Sequence, residues 1–197
     1  LRIITTFDAN AQRAASDAVA AVGPTEGTDG LRIGLAAVNP STGEVIAMYG
    51  GPDYVASPIN NATREFAQGG SIFKPFALTA ALENGVTLDS TWNGQSPATI
   101  GDYTVRNYGD TSFGTVDLVT ATARSINTAY VEVTNEVGVG AVADAAYRLG
   151  LPQDTPGGTP DNLDLTFVLG TASPSGVSMA SAYATLANRG QHVEPTT

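Results

Sequence analysis

Ala67-Gln68-Gly69-Gly70-Ser71-Ile72-Phe73-Lys74-Pro75-Phe76 is the stretch on which the reading of this chain turns. Two glycines mark a loop. The run from Ser71 to Glu83 then reads as a helix that stops before Asn84-Gly85, a good C-terminal signal. If Ser71 opens that helix, Ser71 and Lys74 share one face about one turn apart, and the amine reaches the hydroxyl. A serine hydroxyl is a weak nucleophile that needs an adjacent base. A lysine amine, with an ordinary pKa of ~10.4, serves as that base where burial or neighbouring cations depress it. The positive end of the helix acts in the same direction and favours a developing oxyanion near the Ser71 amide. The two glycines leave backbone room for a substrate. Pro75 has no N–H to offer the Ser71 carbonyl, which predicts a tight or bent first turn holding Ser71 at a surface. The bland alternative is an N-cap serine in an ordinary loop, followed by a solvated lysine.

Composition sharpens the choice. The 197 residues are 42% hydrophobic and 14% charged, enough apolar material for the core of one domain. No apolar run approaches the ~18 residues of a membrane span, and no signal peptide opens the chain. Both ends, Leu1 and Thr197, read as cuts within a larger protein. A formal net charge of -10 repels a phosphate backbone, so nucleic acid and anionic membrane surfaces are poor direct partners. The absence of cysteine excludes thiol nucleophiles, disulfides and cysteine-rich metal sites. The one histidine, His192, falls in a tail-like Gly-Gln-His-Val-Glu-Pro segment that reads as solvated loop, and a Ser-His-Asp triad would have to use it. The cations at neutral pH are eight arginines and Lys74, and of these only the lysine can give up its proton. A bias toward arginine explains the arginines; it does not explain why the single lysine falls three residues after Gly-Gly-Ser.

Outward from that stretch, Leu1–Thr6 reads as a short strand, and Asp8 as the N-cap of an alanine-rich helix over Ala9–Val22. Leu31–Val38 and Glu44–Tyr49 are two strands joined by Asn-Pro-Ser-Thr-Gly, apolar at nearly every position, which predicts a hairpin covered on both faces by helices. A polar stretch from Val86 to Gly114 carries strand-like residues at Tyr103–Val105. Helices are expected over 116–124, 128–137, 141–149 and 177–188, with a loop over 151–163. Ser125-Ile126-Asn127 lies between two of these helices. Serine and asparagine there are ordinary capping residues. Their functional reading is a second hydroxyl that relays a proton to a leaving group, with an amide that orients Lys74 or the substrate. A serine-lysine acyltransferase needs such a partner, so the two motifs support each other.

Together these residues resemble a known family. Ala67 to Phe76 looks like the nucleophile motif of penicillin-binding proteins, and Arg124-Ser125-Ile126-Asn127-Thr128 like their Ser-x-Asn motif. Thr5-Thr6-Phe7-Asp8 with Gln12 resembles the opening of the transpeptidase domain in the bifunctional, class A members. Asn39-Pro40 to Gly51 resembles their first hairpin, and Val168-Leu169-Gly170 and Met179 to Gly190 resemble segments that precede the last motif. The third motif, Lys-Thr/Ser-Gly, is absent, since Lys74 is the only lysine.

The resemblance implies an α/β (α+β) fold of the β-lactamase/transpeptidase kind, a central antiparallel sheet flanked by helices, incomplete in this chain. Residues 1–197 are then the N-terminal portion of one transpeptidase domain. It implies acylation of Ser71 by a stem peptide ending in D-Ala-D-Ala, with Lys74 as base and Ser125 and Asn127 in support, and transfer to a neighbouring amine to form a peptidoglycan cross-link. β-Lactams are expected to acylate the same serine, and neither cofactor nor metal is implied. The expected location is the outer face of the cell membrane, reached through an anchor not present here. A second polypeptide segment carrying Lys-Thr/Ser-Gly and at least two strands is expected to complete the sheet. Two rivals share the motifs. A serine β-lactamase would need a deacylating base, and Leu151 to Leu169 offers Asp154, Asp161 and Asp164 but no glutamate. A non-catalytic β-lactam sensor of the same fold would not require Ser71, Lys74, Ser125 and Asn127 to stand together.

Overall fold

The computed structural model describes residues 2–197. In chain order they form α1 (Ala9–Val22), β1 (Leu35–Val38), β2 (Val45–Tyr49), α2 (Lys74–Glu83), β3 (Thr91–Asn93), β4 (Ala98–Ile100), β5 (Tyr103–Val105), β6 (Thr115–Asp117), α3 (Leu118–Ala123), α4 (Asn127–Val137), α5 (Val139–Arg148) and α6 (Gly176–Ala187). Short 3-10 turns lie at Gly70–Phe73, Tyr108–Asp110, Pro160–Asn162 and Leu165–Leu169. The strands pair antiparallel, β1 with β2, β3 with β6 and β4 with β5, and the architecture is mixed α/β. The chain divides into two units. One runs through Ala67 and takes in Arg148–Pro152 and Pro174–Thr197; the other comprises Gln68–Tyr147 and Gln153–Ser173.

In the first unit α1 packs on β2 and α6 on β1, so each strand of the apolar hairpin has a helix against it. Helix α1 begins where expected, because the Asp8 carboxylate accepts the N–H groups of Asn10 and Ala11. One turn on, Gln12 behaves like a piece of strand. Its side-chain amide donates to the Met48 carbonyl and accepts the Met48 N–H, both at 2.9 Å. The Asp8 N–H reaches the Ile46 carbonyl at 2.9 Å, and the Val45 N–H reaches the Thr196 carbonyl at 2.8 Å. These groups satisfy the outer edge of β2 without a neighbouring strand.

Three expectations are corrected here. Leu1 lies outside the described residues, and residues 2–6 form no strand, since the edge they would join is taken by Gln12, Asp8 and Thr196. Strand β1 starts at Leu35 rather than Leu31; just before it, at Gly34, a side chain would overlap the backbone of Asn61 and Ala62. His192 is no solvated tail residue. Its Nδ1 pairs with the Thr185 hydroxyl at 2.9 Å, and its ring lies where a side chain on Gly150 would stand.

The second unit is built on α2 packed against α4, with the turn at Leu165–Leu169 touching both helices and the turn at Gly70–Phe73. Phe73 meets Phe76 and Phe167 edge-on, with ring centroids 5.3 and 5.2 Å apart. All three rings are buried, each contributing about 1.5–3 kcal/mol relative to exposure. The ladders β3–β6 and β4–β5 were not legible in sequence beyond Tyr103–Val105, since three-residue strands are too short to show alternation. The expected single helix over 116–124 divides: residues 115–117 pair with β3, and the Asp117 carboxylate then caps α3 by accepting the Thr120 N–H at 2.6 Å. No helix among the described residues is long and apolar enough to cross a membrane.

Candidate active site

Chain geometry presents Ser71 at the surface. Gly70 takes a left-handed φ of 63°, and residues 70–73 then wind as a tight 3-10 turn in which the Lys74 N–H bonds to the Ser71 carbonyl. Pro75 follows within the first turn of α2 with no N–H to offer, so the bent start expected from sequence is present. Gly69 serves packing, and Gly70 serves the left-handed turn, with open space where its side chain would stand. A side chain on Gly69 would overlap the Phe73 ring, and one on Gly170 would overlap the backbone of Gly70. Two backbone bonds fasten this loop, Gly69 N–H to Ala172 carbonyl at 2.9 Å and Gly70 N–H to Gly170 carbonyl at 3.1 Å. Ser71 therefore sits exposed on a rigid corner, while Lys74, one turn inward, is 3% exposed.

Ser125 arrives by a different device. Helix α3 ends at Arg124; the Ser125 N–H then bonds to the Thr122 carbonyl at 3.1 Å and the Ile126 N–H to the Ala121 carbonyl at 2.9 Å. This is a Schellman ending, and Ser125 occupies its left-handed position, normally glycine, with φ 53°. Buried Ile126 packs into the core and α4 starts at Asn127. The reversal brings Ser125 and Asn127 onto one side of the junction.

All four residues picked out from sequence converge. Lys74 Nζ lies 2.9 Å from Ser71 Oγ, 2.9 Å from Ser125 Oγ, 2.8 Å from the Ser125 carbonyl oxygen and 2.8 Å from Asn127 Oδ1. The asparagine amide has only one sensible orientation, because its Nδ2 donates to the Arg106 carbonyl at 2.9 Å and a carbonyl can only accept. Burial pushes the Lys74 pKa down from 10.5 to about 8. Burial, not a neighbouring cation, is the cause.

A proton count shows what the arrangement can do. A neutral amine has two N–H bonds and one lone pair; an ammonium has three N–H bonds. Two of the four partners, the Ser125 carbonyl and Asn127 Oδ1, can only accept, and they engage two N–H bonds in either state. The remaining position faces two hydroxyls, each able to donate or accept. A neutral Lys74 can thus accept the Ser71 proton, and a protonated Lys74 can donate toward Ser125 Oγ. The partner set suits both protonation states.

Sequence reading missed the residues around this cluster. Tyr130, fully buried one turn along α4 from Asn127, sets its ring 5.9 Å from Lys74 Nζ. Its hydroxyl pairs with Thr122 Oγ1 at 2.6 Å, and Thr122 in turn donates to the Leu118 carbonyl. Its i+3 spacing from Asn127 was the available signal. Asn107, from the polar stretch before β6, binds the start of α4 through its Oδ1, which accepts the Thr128 N–H at 3.0 Å. Nothing in the sequence Arg-Asn-Tyr-Gly-Asp sets it apart from a turn residue.

Comparison with known proteins meets this geometry at the level of the whole chain. Residues 33–197 match the model of the penicillin binding protein transpeptidase domain. The chain belongs to that family. Penicillin-binding protein 1A of Mycobacterium tuberculosis is 37% identical over 99% of this chain, and that of Aquifex aeolicus is 33% identical over 82%. A solved structure of the PonA1 protein from M. tuberculosis in complex with penicillin V superposes with a TM-score of 0.88 at 34% identity, over 99% of this chain and 53% of that one. Penicillin-binding protein 1A from Haemophilus influenzae superposes with a TM-score of 0.74 at 31% identity, over 82% of this chain and 24% of that one. The chain spans 24% of the length of the M. tuberculosis curated relative and 22% of that of A. aeolicus. The transpeptidase family carries the mixed α/β fold described above.

Proposed function

We propose that this chain carries the nucleophile half of a peptidoglycan D,D-transpeptidase, in which Ser71 is acylated by stem peptides ending in D-Ala-D-Ala and by β-lactams. The observation that carries the reading is Lys74 Nζ held within 2.9 Å of both Ser71 Oγ and Ser125 Oγ by partners that leave its third position free to accept or give a proton. Ser71 Oγ attacks the carbonyl of the penultimate D-Ala while its proton passes to neutral Lys74. The peptide C–N bond then breaks. The ammonium donates through Ser125 Oγ to the departing amine, and D-Ala leaves with its electron pair protonated. An acceptor amine on a neighbouring stem attacks the Ser71 ester, its proton returning by the same path, and the free hydroxyl is restored. Asn127 holds the amine on line; its own amide is pinned by the Arg106 carbonyl.

Family membership and the penicillin V complex of the M. tuberculosis relative support β-lactam recognition. The parent protein is proposed to act at the outer face of the cell membrane through an anchor, with a segment bearing Lys-Thr/Ser-Gly supplying the rest of the groove. The direct test treats the intact parent protein with penicillin, digests it and locates the adduct by mass spectrometry. The adduct is expected on the peptide containing Ser71. A lactam on another serine, or none, would overturn the assignment.

A further inference from the structure

Asn107 lies outside every motif above, yet it is among the few buried polar side chains, 5% exposed, and it uses its full bonding capacity. Its Nδ2 donates to the carbonyls of Gly94 and Thr111, both at 3.0 Å. Its Oδ1 accepts the Thr128 N–H at 3.0 Å and the Thr128 hydroxyl at 3.3 Å. Helix α4 has no capping side chain of its own, because the residue before it is Ile126. Asn107 therefore caps α4 from a distant loop, at the N–H immediately after Asn127. The adjoining residue reinforces the hold, since the Arg106 carbonyl accepts Asn127 Nδ2 at 2.9 Å. Residues 106 and 107 thus grip the first turn of α4 twice, once through backbone and once through side chain. What they grip is the asparagine whose Oδ1 lies 2.8 Å from Lys74 Nζ.

The loop holding Asn107 is itself braced. Arg106 pairs with Asp110 at 2.8 Å, Gly109 and Asp110 take left-handed φ values of 61° and 54°, and Ser96 Oγ accepts the Asn107 N–H at 3.0 Å. A loop bearing two left-handed residues and a saturated buried amide is a rigid support rather than a tether.

We propose that Asn107 is a positioning residue for the acylation step, acting through Asn127: it fixes the first turn of α4 so that the Asn127 amide is presented to Lys74. The inference rests on the reading of Ser71 and Lys74 given above. In the parent protein, Asn107→Ala is expected to slow penicillin acylation by about tenfold or more, because a sub-ångström drift of Asn127 loosens the amine from its line. The non-covalent dissociation constant should change little, since Asn107 is buried and its amide is spent on protein partners. Asn107→Asp keeps the acceptor for the Thr128 N–H and is expected to lose less rate than Asn107→Ala. The decisive comparison is a double-mutant cycle with Asn127→Ala. If Asn107 acts through Asn127, Asn107→Ala costs no further rate in that background. Equal losses in both backgrounds would overturn the proposal. So would a fall in the fraction of protein labelled, with an unchanged rate for the remainder, which marks a fold defect alone. If Asn107→Ala does not fold, Asn107→Ser carries the same cycle. Failure of the wild-type protein to label Ser71 would instead overturn the functional reading itself.

Discussion

At the scale of single residues, the base proposed at Lys74 depends on what burial does to its charge. An amine 3% exposed resists protonation, and its pKa falls to about 8. At pH 7 roughly a tenth of the molecules then hold the neutral base, against well under a hundredth for an exposed lysine. The rate of penicillin acylation is expected to climb with pH through about 8 and level above it, measured by stopped-flow with a chromogenic lactam. A profile flat from pH 6 to 9 would count against a neutral-lysine base. The same shift bears on stability with a definite sign. Between about 8 and 10.5 the unfolded chain holds a proton on this lysine that the folded chain has released, so the contribution of Lys74 to stability rises with pH across that window. Lys74→Arg keeps the cation but cannot release a proton, and acylation by that variant is expected to drop by at least about a thousandfold. Near-normal labelling of the arginine variant would mean the lysine serves only as a fixed charge.

At the scale of elements, the junction between α3 and α4 places the hydroxyl proposed as the relay where the fold would prefer none. Ser125 stands in the left-handed position of a helix ending at φ 53°, a conformation costing an L-residue ~1 kcal/mol or more relative to glycine. Glycine there would leave both Schellman bonds intact, because they are made by backbone groups. Ser125→Gly is therefore expected to melt at the same temperature or higher, gaining up to about 1 kcal/mol, while penicillin acylation falls by roughly a hundredfold as the relay hydroxyl is lost. Calorimetry and labelling kinetics on the same preparation check both halves. A variant that loses stability would show that the hydroxyl, not the backbone, holds the junction. Asp117 offers the contrasting case. Its carboxylate caps α3 by accepting the Thr120 N–H, and Asp117→Ala should cost about 1 kcal/mol of stability.

At the scale of the whole molecule, the two edges of the hairpin differ. Its outer β2 edge is satisfied by Gln12, Asp8 and Thr196, but among the described residues no strand pairs with the outer edge of β1. All four residues of β1 are half-buried rather than buried, and a two-stranded sheet is marginal by itself. A further segment bearing strands and Lys-Thr/Ser-Gly is the proposed partner for that edge. Residues 1–197 expressed alone are accordingly expected to unfold with poor cooperativity and to acylate more slowly than a form carrying that segment. Equal rates and a sharp transition in the shorter form would remove the need for a partner strand.

Sequence alone was sufficient for features set by local chemistry. The cap at Asp8, the helix stop before Asn84, the bend at Pro75 and the three-residue spacing of Ser71 and Lys74 depend on neighbours a turn away, and each is found where local rules put it. Ser125 and Asn127 were legible as a motif, but not as a left-handed helix ending, because nothing in a serine signals a positive φ. Three-residue ladders, the division of residues 116–124, the capture of His192 by Thr185 and the seat of Asn107 all depend on partners far along the chain. So does the base. A lysine keeps its pKa near 10.5 until its surroundings exclude water. Burial of Lys74 against four oxygens, three of them more than 50 residues away in sequence, is a property that only the folded chain supplies.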